Sequence, residues 1–274
     1  MDNQLTKQKL IKIILKIYNN NLDQINADLQ LTLKQTIPLN RTEPRFIPPT
    51  DAKPLVSVNN LTRVYRNGKE KVTAVNNVSF DIYQGEIVAL TGTSGSGKST
   101  LLHMIGGLDK PTSGQVIIDG VNIAKLSDAK LSNFRNRTIG FVFQFFYLQP
   151  FLTLAQNIAV SSMIFSMSNK ERKARTEELA KAVGLSERLK HLPKELSGGQ
   201  MQRAAIARAL FNQPKILIAD EPTGNLDSAN TNAILDLFHK VRKEYNTTII
   251  IVTHDENIAQ LADRRLTIHD GELI

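Results

Sequence analysis

The sequence predicts an α/β fold in which helices cover a mostly parallel sheet. Two observations lead to this prediction. From residue 55 onward, short apolar runs alternate with helical patterns, and one glycine-rich loop joins a strand-like run to a helical one. Such alternation is typical of parallel sheets, because each return to a parallel strand needs a crossover connection. Ligands bind these sheets at the carboxyl ends of the strands. The functional residues are therefore expected where the apolar runs end.

The elements after residue 55 follow a regular order. The predicted strands are Glu86–Thr91, Thr138–Phe143, Ile216–Ala219 and Thr248–Val252, and the predicted helices are Ser99–Ile105 and Lys170–Val183. The last two strands are continuous apolar runs, a pattern typical of strands buried on both faces. Residues 145–212 show no strand pattern, so they are predicted to form a helical insertion.

Residues 1–54 differ in composition from the rest of the chain. They contain no glycine, and half of the ten prolines fall between residues 38 and 54. Apolar residues within 1–36 recur at spacings of three and four, which predicts an amphipathic helical extension with lysines beside it. Two interpretations remain open: docking on a membrane surface or partner subunit, or a short helix that covers its own domain. Residues 37–54 are predicted to be a proline-rich linker, and residues 55–274 the main α/β domain.

The composition limits the possible functions. A chain of 274 residues suffices for one large α/β domain with an appendage. The absence of cysteine excludes disulfides, thiolate metal sites and cysteine catalysis. No run approaches the roughly 18 apolar residues of a membrane-spanning helix, and no signal peptide is predicted. The net charge of +8 indicates either a polyanionic partner or merely a lysine-rich surface.

The segment Gly92–Thr100 matches the phosphate-binding loop pattern, in the required context of a strand, a loop and a helix. Its glycines allow successive amides to point at a phosphate, Lys98 would bridge the β- and γ-phosphates, and Ser99 would be a ligand of Mg²⁺. A nucleoside triphosphate and Mg²⁺ are therefore expected at this loop. The residues predicted to contact the nucleotide here are Gly92, Thr93, Ser94, Gly95, Ser96, Gly97, Lys98, Ser99 and Thr100.

Polar residues follow three of the predicted strands. Asp220 and Glu221 end one strand, where an aspartate can hold Mg²⁺ and an adjacent carboxylate can polarise a water for attack on the γ-phosphate. His254 ends the next strand and could position that water beside Glu221. Gln144 ends a third strand, where it is predicted to contact Mg²⁺ and the water. We therefore expect Lys98, Gln144, Glu221 and His254 to be catalytic, and Ser99, Gln144 and Asp220 to bind the metal.

The pentad Leu196-Ser197-Gly198-Gly199-Gln200 is a second expected anion site. Its serine and glycines precede a predicted helix, Gln202–Phe211, and helix starts present free amides to anions.

Tyr65, upstream of the phosphate loop, is either a half-buried strand residue or an aromatic that stacks on adenine. We favour stacking.

Together these segments resemble the ATP-binding subunit of an ABC transporter over about residues 56–274. The resemblance makes Gly92–Ser99 the Walker A loop, Gln144 the Q-loop glutamine, Leu196–Gln200 the signature motif and Asp220–Glu221 the Walker B pair. It makes Asn225–Asp227 the D-loop, with Asp227 among the nucleotide-binding residues, and His254 the switch histidine. It also implies a P-loop NTPase core with a small antiparallel β subdomain and an α-helical subdomain at about residues 145–212.

Three further sequence segments narrow the resemblance to one group within the family. Gly106–Gly114, Ile139–Gln144 and Asp220–Asp227 are similar to the lipoprotein-releasing and macrolide-export group. Gln156 departs from it, because these relatives usually have glutamate there, on the surface that faces the membrane subunit.

This resemblance implies a homodimer in which each ATP lies between one subunit's Walker A loop and the other's signature motif. It also implies a separate integral membrane permease, a peripheral location on the cytoplasmic side of the membrane, and ATP hydrolysis that drives export. The alternative is the same ATPase cycle acting as a mechanical regulator of a membrane partner, as in the related cell-division ATPase. An ABC ATPase acting on DNA or ribosomes is disfavoured, because such proteins generally need a coiled-coil insertion or a second cassette, so no nucleic-acid partner is expected.

Overall fold

The structure is a computed structural model that describes residues 46–68, 70–164 and 166–274. The helical prediction for residues 1–36, and residues 37–45 of the predicted linker, lie outside the described residues. Residues 46–54 of the linker contain no helix or strand. There the backbone N–H of Phe46 donates to Asp263 Oδ1 at 3.2 Å.

The larger of two sheets has six strands in the order β10-β9-β3-β8-β7-β6, parallel except for the pair β9–β10. Its strands are β3 (Ile87–Thr91), β6 (Ile139–Phe143), β7 (Ile216–Asp220), β8 (Thr248–Val252), β9 (Arg264–His269) and β10 (Glu272–Leu273). Ala219 pairs with Ile251 and Phe143 with Asp220, so the carboxyl ends of β6, β7 and β8 meet at one edge. Leu90 pairs with Val252, which brings the end of β3 to the same edge.

The smaller sheet is antiparallel, with the strand order β2-β1-β4-β5. Its strands are β1 (Val56–Asn67), β2 (Glu70–Ile82), β4 (Ser113–Ile118) and β5 (Val121–Asn122). This sheet and the six-stranded one confirm the fold class implied by the resemblance.

Seven α-helices lie within the described residues. They are α1 (Lys98–Ile105), α2 (Asp128–Thr138), α3 (Leu154–Ala159), α4 (Asn169–Ala182), α5 (Gly198–Ala209), α6 (Ser228–Tyr245) and α7 (Glu256–Ala259). Short 3₁₀ turns lie at Ile123–Lys125, Val160–Ile164, Ser186–Arg188 and Pro193–Glu195. No strand occurs between β6 and β7 in the part of the chain that the structure describes. None of the described helices has the length and apolarity that crossing a membrane requires.

Two apolar clusters hold these layers together. One packs the antiparallel sheet and α1 against the six-stranded sheet through residues such as Leu61, Leu101 and Ile250. The other packs α5 and α6 against the sheet's second face, where Ile234, Phe238 and Val241 of α6 recur at helical spacing. Because both faces are covered, every residue of β8 is buried.

One predicted element differs in its bounds. The helix expected over Gln202–Phe211 runs from Gly198 to Ala209 instead. Ser197 is its N-cap and accepts from the backbone N–H of Gln200 at 3.3 Å, while Gln200 Oε1 accepts from Ser197 N–H at 2.9 Å. This reciprocal cap starts the helix inside the pentad. The signature glycines therefore form its first turn, not the loop before it.

Candidate nucleotide-binding site

The phosphate loop joins β3 to α1 and is shaped by its glycines. Gly92, Gly95 and Gly97 have φ values of 145°, 80° and 102°. A Cβ at Gly92 would lie 2.1 Å from Ile268 O, and one at Gly97 would lie 2.1 Å from Ala74 O. No side chain fits at these distances, and L-residues avoid these φ values. The loop is therefore held between β9 and β2, with its exposed residues Thr93, Ser94 and Gly95 at the tip.

Lys98 lies inside this loop. Its side-chain Nζ donates to Gly92 O at 3.0 Å and to Thr93 O at 2.6 Å, and the residue is only 8% exposed. Ser99 follows in the first turn of α1 and is exposed, as a hydroxyl that approaches a metal must be, whereas Thr100 is half-buried. Ser96 is buried, and its Oγ has no hydrogen-bond partner. The loop thus presents an ammonium group and polar hydroxyls at one sheet edge.

Asp220 ends β7 at that edge. Burial raises the pKa of its carboxyl, an effect only partly offset by His103, a Ser99 hydrogen bond and Lys98. Its Oδ1 is buried and has no hydrogen-bond partner. A buried carboxylate oxygen without a partner is a suitable Mg²⁺ ligand. No group of three or more acidic or histidine side chains able to hold a metal occurs among the described residues. Ser99, Gln144 and Asp220 stay the predicted Mg²⁺ ligands, and phosphate oxygens would complete the coordination, as is usual for this ion.

Glu221 and His254 meet across two neighbouring strand ends. The Glu221 Oε1 and His254 Nδ1 atoms are 2.8 Å apart, so Nδ1–H donates to the carboxylate. Glu221 has a φ of 46°, in the left-handed region, and its N–H donates to Val252 O at 2.9 Å. This backbone conformation costs of order 1 kcal/mol or more in a non-glycine residue. The structure therefore brings together the proposed base and its partner, with strain at the base.

Gln144 begins the loop after β6 and lies beside the loop after β7. A Cβ at Gly224 would lie 2.9 Å from Gln144 Nε2, so this close approach also requires glycine. Asn225 Nδ2 donates to Gln144 O at 3.0 Å. The Q-loop glutamine is thus held against the segment that follows Asp220 and Glu221.

The signature motif is placed apart from the phosphate loop. Within 4 Å, a Cβ at Gly198 would contact Leu226, Phe146 and Asn225. At Gly199 it would lie 2.1 Å from Asn230 Oδ1. The free N–H groups of the first turn of α5 and the exposed Ser197 therefore adjoin the D-loop and the start of α6. Among the described residues, no hydrogen bond joins this motif to the phosphate loop.

Asp227 has a local role that the sequence did not reveal. Its Oδ1 accepts from Asn230 N–H at 2.8 Å as the N-cap of α6, and both carboxylate oxygens accept from Asn230 Nδ2 at 3.0 Å. These hydrogen bonds hold its pKa below the ordinary value. Its predicted contact with nucleotide stays a prediction.

Two further residues organise the site and were missed at the sequence level. Gln202 of α5 is fully buried, and its Nε2 donates to Pro222 O at 2.5 Å and contacts Phe143 O at 3.4 Å. Arg208 donates to the carbonyls of Phe146 and Tyr147 at 2.8 and 2.5 Å. A glutamine on the apolar face of α5 is a signal that could have pointed to the first. Arg208 could not have been found in this way, because its partners are backbone carbonyls, which every residue has.

Gln156 retains the local structure expected of a glutamate. It is the third residue of α3, where its Oε1 accepts from Thr153 N–H at 2.8 Å and its own N–H donates to Thr153 Oγ1 at 3.3 Å. Glutamine and glutamate both complete this capping box. The change removes a charge from the surface and leaves the cap intact.

The site can be compared with known proteins. A family model described as ABC transporter matches residues 75–224, more than half of the chain. The chain belongs to the ABC transporter family. Among its relatives is a Bacillus subtilis (strain 168) protein described as the uncharacterized ABC transporter ATP-binding protein YvrO. It is 46% identical over 220 residues, which cover 80% of this chain and 96% of the relative.

Solved ABC structures are similar as well. A dimeric post-hydrolysis state of the ATP-binding cassette MJ0796, bound to ADP and Pi, has a TM-score of 0.74 and 44% identity, covering 80% of this chain and 96% of that one. CbiO1 of Clostridium perfringens, described as part of the transporter complex cbiONQ, has a TM-score of 0.73 and 31% identity, covering 81% and 87%. This chain is thus an ABC-type ATPase, and it carries the motifs of an ATP-binding subunit.

Proposed function

We propose that this ABC subunit hydrolyses ATP as a homodimer and thereby drives a separate membrane permease, in the export class. The observation that carries the catalytic part is the 2.8 Å contact between Glu221 and His254 at the edge that also holds the phosphate loop. In-line attack of water on the γ-phosphate needs a base, a group that positions the water and a cation at the phosphates. These roles fall to Glu221, His254 and Lys98.

The steps follow from these side chains. Glu221 accepts the proton of the attacking water, while His254 holds the Glu221 carboxylate in place through its Nδ1–H and thereby positions the water that this carboxylate binds. Lys98 exchanges its hydrogen bonds to Gly92 O and Thr93 O for phosphate oxygens and so opposes the charge that develops there. Bound Mg²⁺ would supply further positive charge at the phosphates, held by Ser99, Gln144 and Asp220.

The dimer is supported by the separation of the two anion sites. The first turn of α5 offers free amides next to the D-loop, while the phosphate loop stands on β3. A γ-phosphate caged by both needs a second copy of the chain, related by twofold symmetry. The dimeric structure of the cassette MJ0796 agrees with this arrangement.

The permease partner is supported by a groove of about 440 Å³ between α2 and α5. Leu108, Tyr147 and Ile164 line it and are 45%, 62% and 59% exposed, and Phe145, Phe151 and Met163 are exposed as well. Exposed apolar side chains of this kind mark a protein interface. A permease segment docked there places the subunit at the cytoplasmic side of the membrane.

The central experiment replaces Glu221 by Gln in the full-length chain. We expect ATP hydrolysis to stop while ATP induces a stable dimer, seen as an earlier elution in size-exclusion chromatography. Wild-type turnover in this variant would overturn the role of Glu221. Co-purification with a membrane protein tests the partner, and Tyr147→Ser should weaken that association while leaving hydrolysis by the isolated subunit in place.

A further inference from the structure

The ring of Tyr65 is held by two side chains. The Tyr65 hydroxyl donates to Asp109 Oδ2 at 2.7 Å, and Arg63 Nη2 donates to Asp109 Oδ1 at 2.7 Å. The Arg63 guanidinium also lies over the Tyr65 ring, 4.6 Å from its centroid. A single carboxylate therefore fixes both the end of the ring and the cation that covers one of its faces.

Asp109 belongs to the Gly106–Gly114 segment. In the sequence this segment indicated only a resemblance to one group of the family and gave Asp109 no role. Its backbone N–H donates to His103 O at 3.2 Å, so it is attached to the end of α1, the helix that begins with Lys98. Thr112 N–H donates to Thr62 O at 2.8 Å, which joins the same segment to β1. The ring of Tyr65 and the phosphate loop are thus connected through one short helix.

The exposure of these groups fits a prepared surface. The Arg63 and Asp109 side chains are 23% and 24% exposed, so their ion pair is partly shielded from solvent. Tyr65 remains 40% exposed. Because Arg63 covers one face, a stacked base must use the other. A cation on one face of an aromatic ring is attracted by its π-system and keeps the ring from turning.

We propose that Asp109, with Arg63, is a positioning residue that holds Tyr65 in the orientation in which it stacks on the base of the nucleotide. The inference rests on the proposed ATP binding at this site and on Tyr65 as its stacking residue. Asp109 touches neither phosphate nor water in this scheme. Its loss should therefore weaken nucleotide binding without slowing hydrolysis of the bound nucleotide.

The experiment compares full-length wild type with Asp109→Asn, Tyr65→Phe and the double variant. The dissociation constant is measured with a fluorescent ATP analogue, and kcat at saturating ATP. Each single variant should raise the dissociation constant about threefold to tenfold, the range of an aromatic contact, and Asp109→Asn should keep kcat within about twofold of wild type. Asp109→Asn leaves one acceptor oxygen for the two donors on Tyr65 and Arg63, and Tyr65→Phe removes the Tyr65 hydroxyl. Because both changes act on the same contact, the double variant should bind no more weakly than the weaker single one.

Asp119→Asn is the matched control. Asp119 forms a comparable surface ion pair with Lys215 at 2.6 Å, and its left-handed φ of 51° suits asparagine. This variant should bind ATP as wild type does. Tyr65→Phe breaks the contact without a change of charge, so the test does not depend on the folding of Asp109→Asn.

Two outcomes would overturn the inference. One is wild-type affinity for ATP in Asp109→Asn, with or without a lowered melting temperature. The other is a double variant in which the increases of the dissociation constant from the two single variants multiply. Tyr65→Ala separates this failure from that of the proposed function. If Tyr65→Ala binds ATP weakly and Asp109→Asn binds normally, only the positioning role is wrong. If Tyr65→Ala also binds normally, stacking by Tyr65 is wrong.

Discussion

His254 Nδ1 lies 2.8 Å from Glu221 Oε1, although the two residues are 33 positions apart in the sequence. The parallel pairing of β7 with β8 brings them together, since Asp220 pairs with Val252 and each functional residue follows its strand. Glu221 is mostly shielded by the protein and His254 is largely exposed. The carboxylate therefore depends on the histidine for its orientation, and the histidine remains accessible to a bound phosphate.

Replacing His254 by Ala should lower kcat by roughly 100-fold, within the range for impaired general-base catalysis, because Glu221, the proposed base, loses the contact that orients it. The affinity for ATP should change little, since the phosphate loop that would bind the β- and γ-phosphates stays intact. Steady-state hydrolysis and equilibrium ATP binding check this prediction.

His269→Ala is the control for the His254 variant. His269 is also exposed and also pairs with a carboxylate, Asp270, at 3.4 Å. Hydrolysis should be unaffected there. Equal losses in the two variants would contradict a specific role for His254.

In the proposed dimer each active site is shared between two subunits, so two inactive chains should complement each other. Lys98→Ala removes the phosphate-loop cation, and Ser197→Ala removes the exposed hydroxyl of the signature motif. Each homodimer should be inactive, whereas a mixed dimer holds one intact site. With random pairing and independent sites, about a quarter of wild-type activity should return on mixing.

The matched control places both substitutions in one chain. Mixed with wild type, that double variant forms dimers in which each site has one defective half, so it should contribute no activity. Full activity of Ser197→Ala alone would contradict the proposed dimer.

The buried carboxyl of Asp220 should make the stability of the protein depend on pH. Burial raises its pKa in the folded protein, so the native state binds more protons than the unfolded chain between the ordinary value of 3.8 and the raised one. The free energy of unfolding contributed by this group therefore falls as pH rises through that window, and the penalty is complete above it.

Asp220→Asn removes that penalty. The nucleotide-free variant should melt at a higher temperature than wild type at pH 7, and the difference should shrink as the pH is lowered toward 4. Mg²⁺-dependent hydrolysis should be lost. Thermal melts across this pH range, without nucleotide, check the sign, and a variant less stable than wild type at pH 7 would contradict the burial argument.

A single methyl group added to the phosphate loop at Gly97 should have a strong effect on ATP binding. Gly97→Ala places a Cβ 2.1 Å from Ala74 O at a φ of 102°, so the loop or β2 must move. We expect loss of ATP binding and a lower free energy of unfolding, of order 1–3 kcal/mol from the backbone conformation alone. Gly120→Ala is the control, because Gly120 also has a positive φ of 77° but no atom lies within 4 Å of its Cβ. Similar losses of ATP binding in both variants would show that the close approach does not matter.

The four strands β3, β6, β7 and β8 were predictable because they follow from local pattern, whereas the antiparallel sheet was expected only from the family resemblance. Strands buried on both faces, such as Thr248–Val252, are continuous apolar runs in the sequence. A glycine-rich loop of this pattern between a strand and a helix indicates phosphate binding. The start of α5 was predicted four residues late. The reciprocal cap of Ser197 and Gln200 was not recognised, although the spacing of a capping box is visible in the sequence.

The sequence by itself determined the family of this protein and the segment that forms its phosphate loop, and it predicted the roles of Lys98, Asp220, Glu221 and His254 from residue type and order. Only the tertiary structure decided which partners those residues have. The contacts of Tyr65 with Asp109 and of Gln202 with Pro222 join segments 44 and 20 residues apart. Such contacts depend on how strands and loops pack, and packing distances between distant segments leave no periodic trace in the chain.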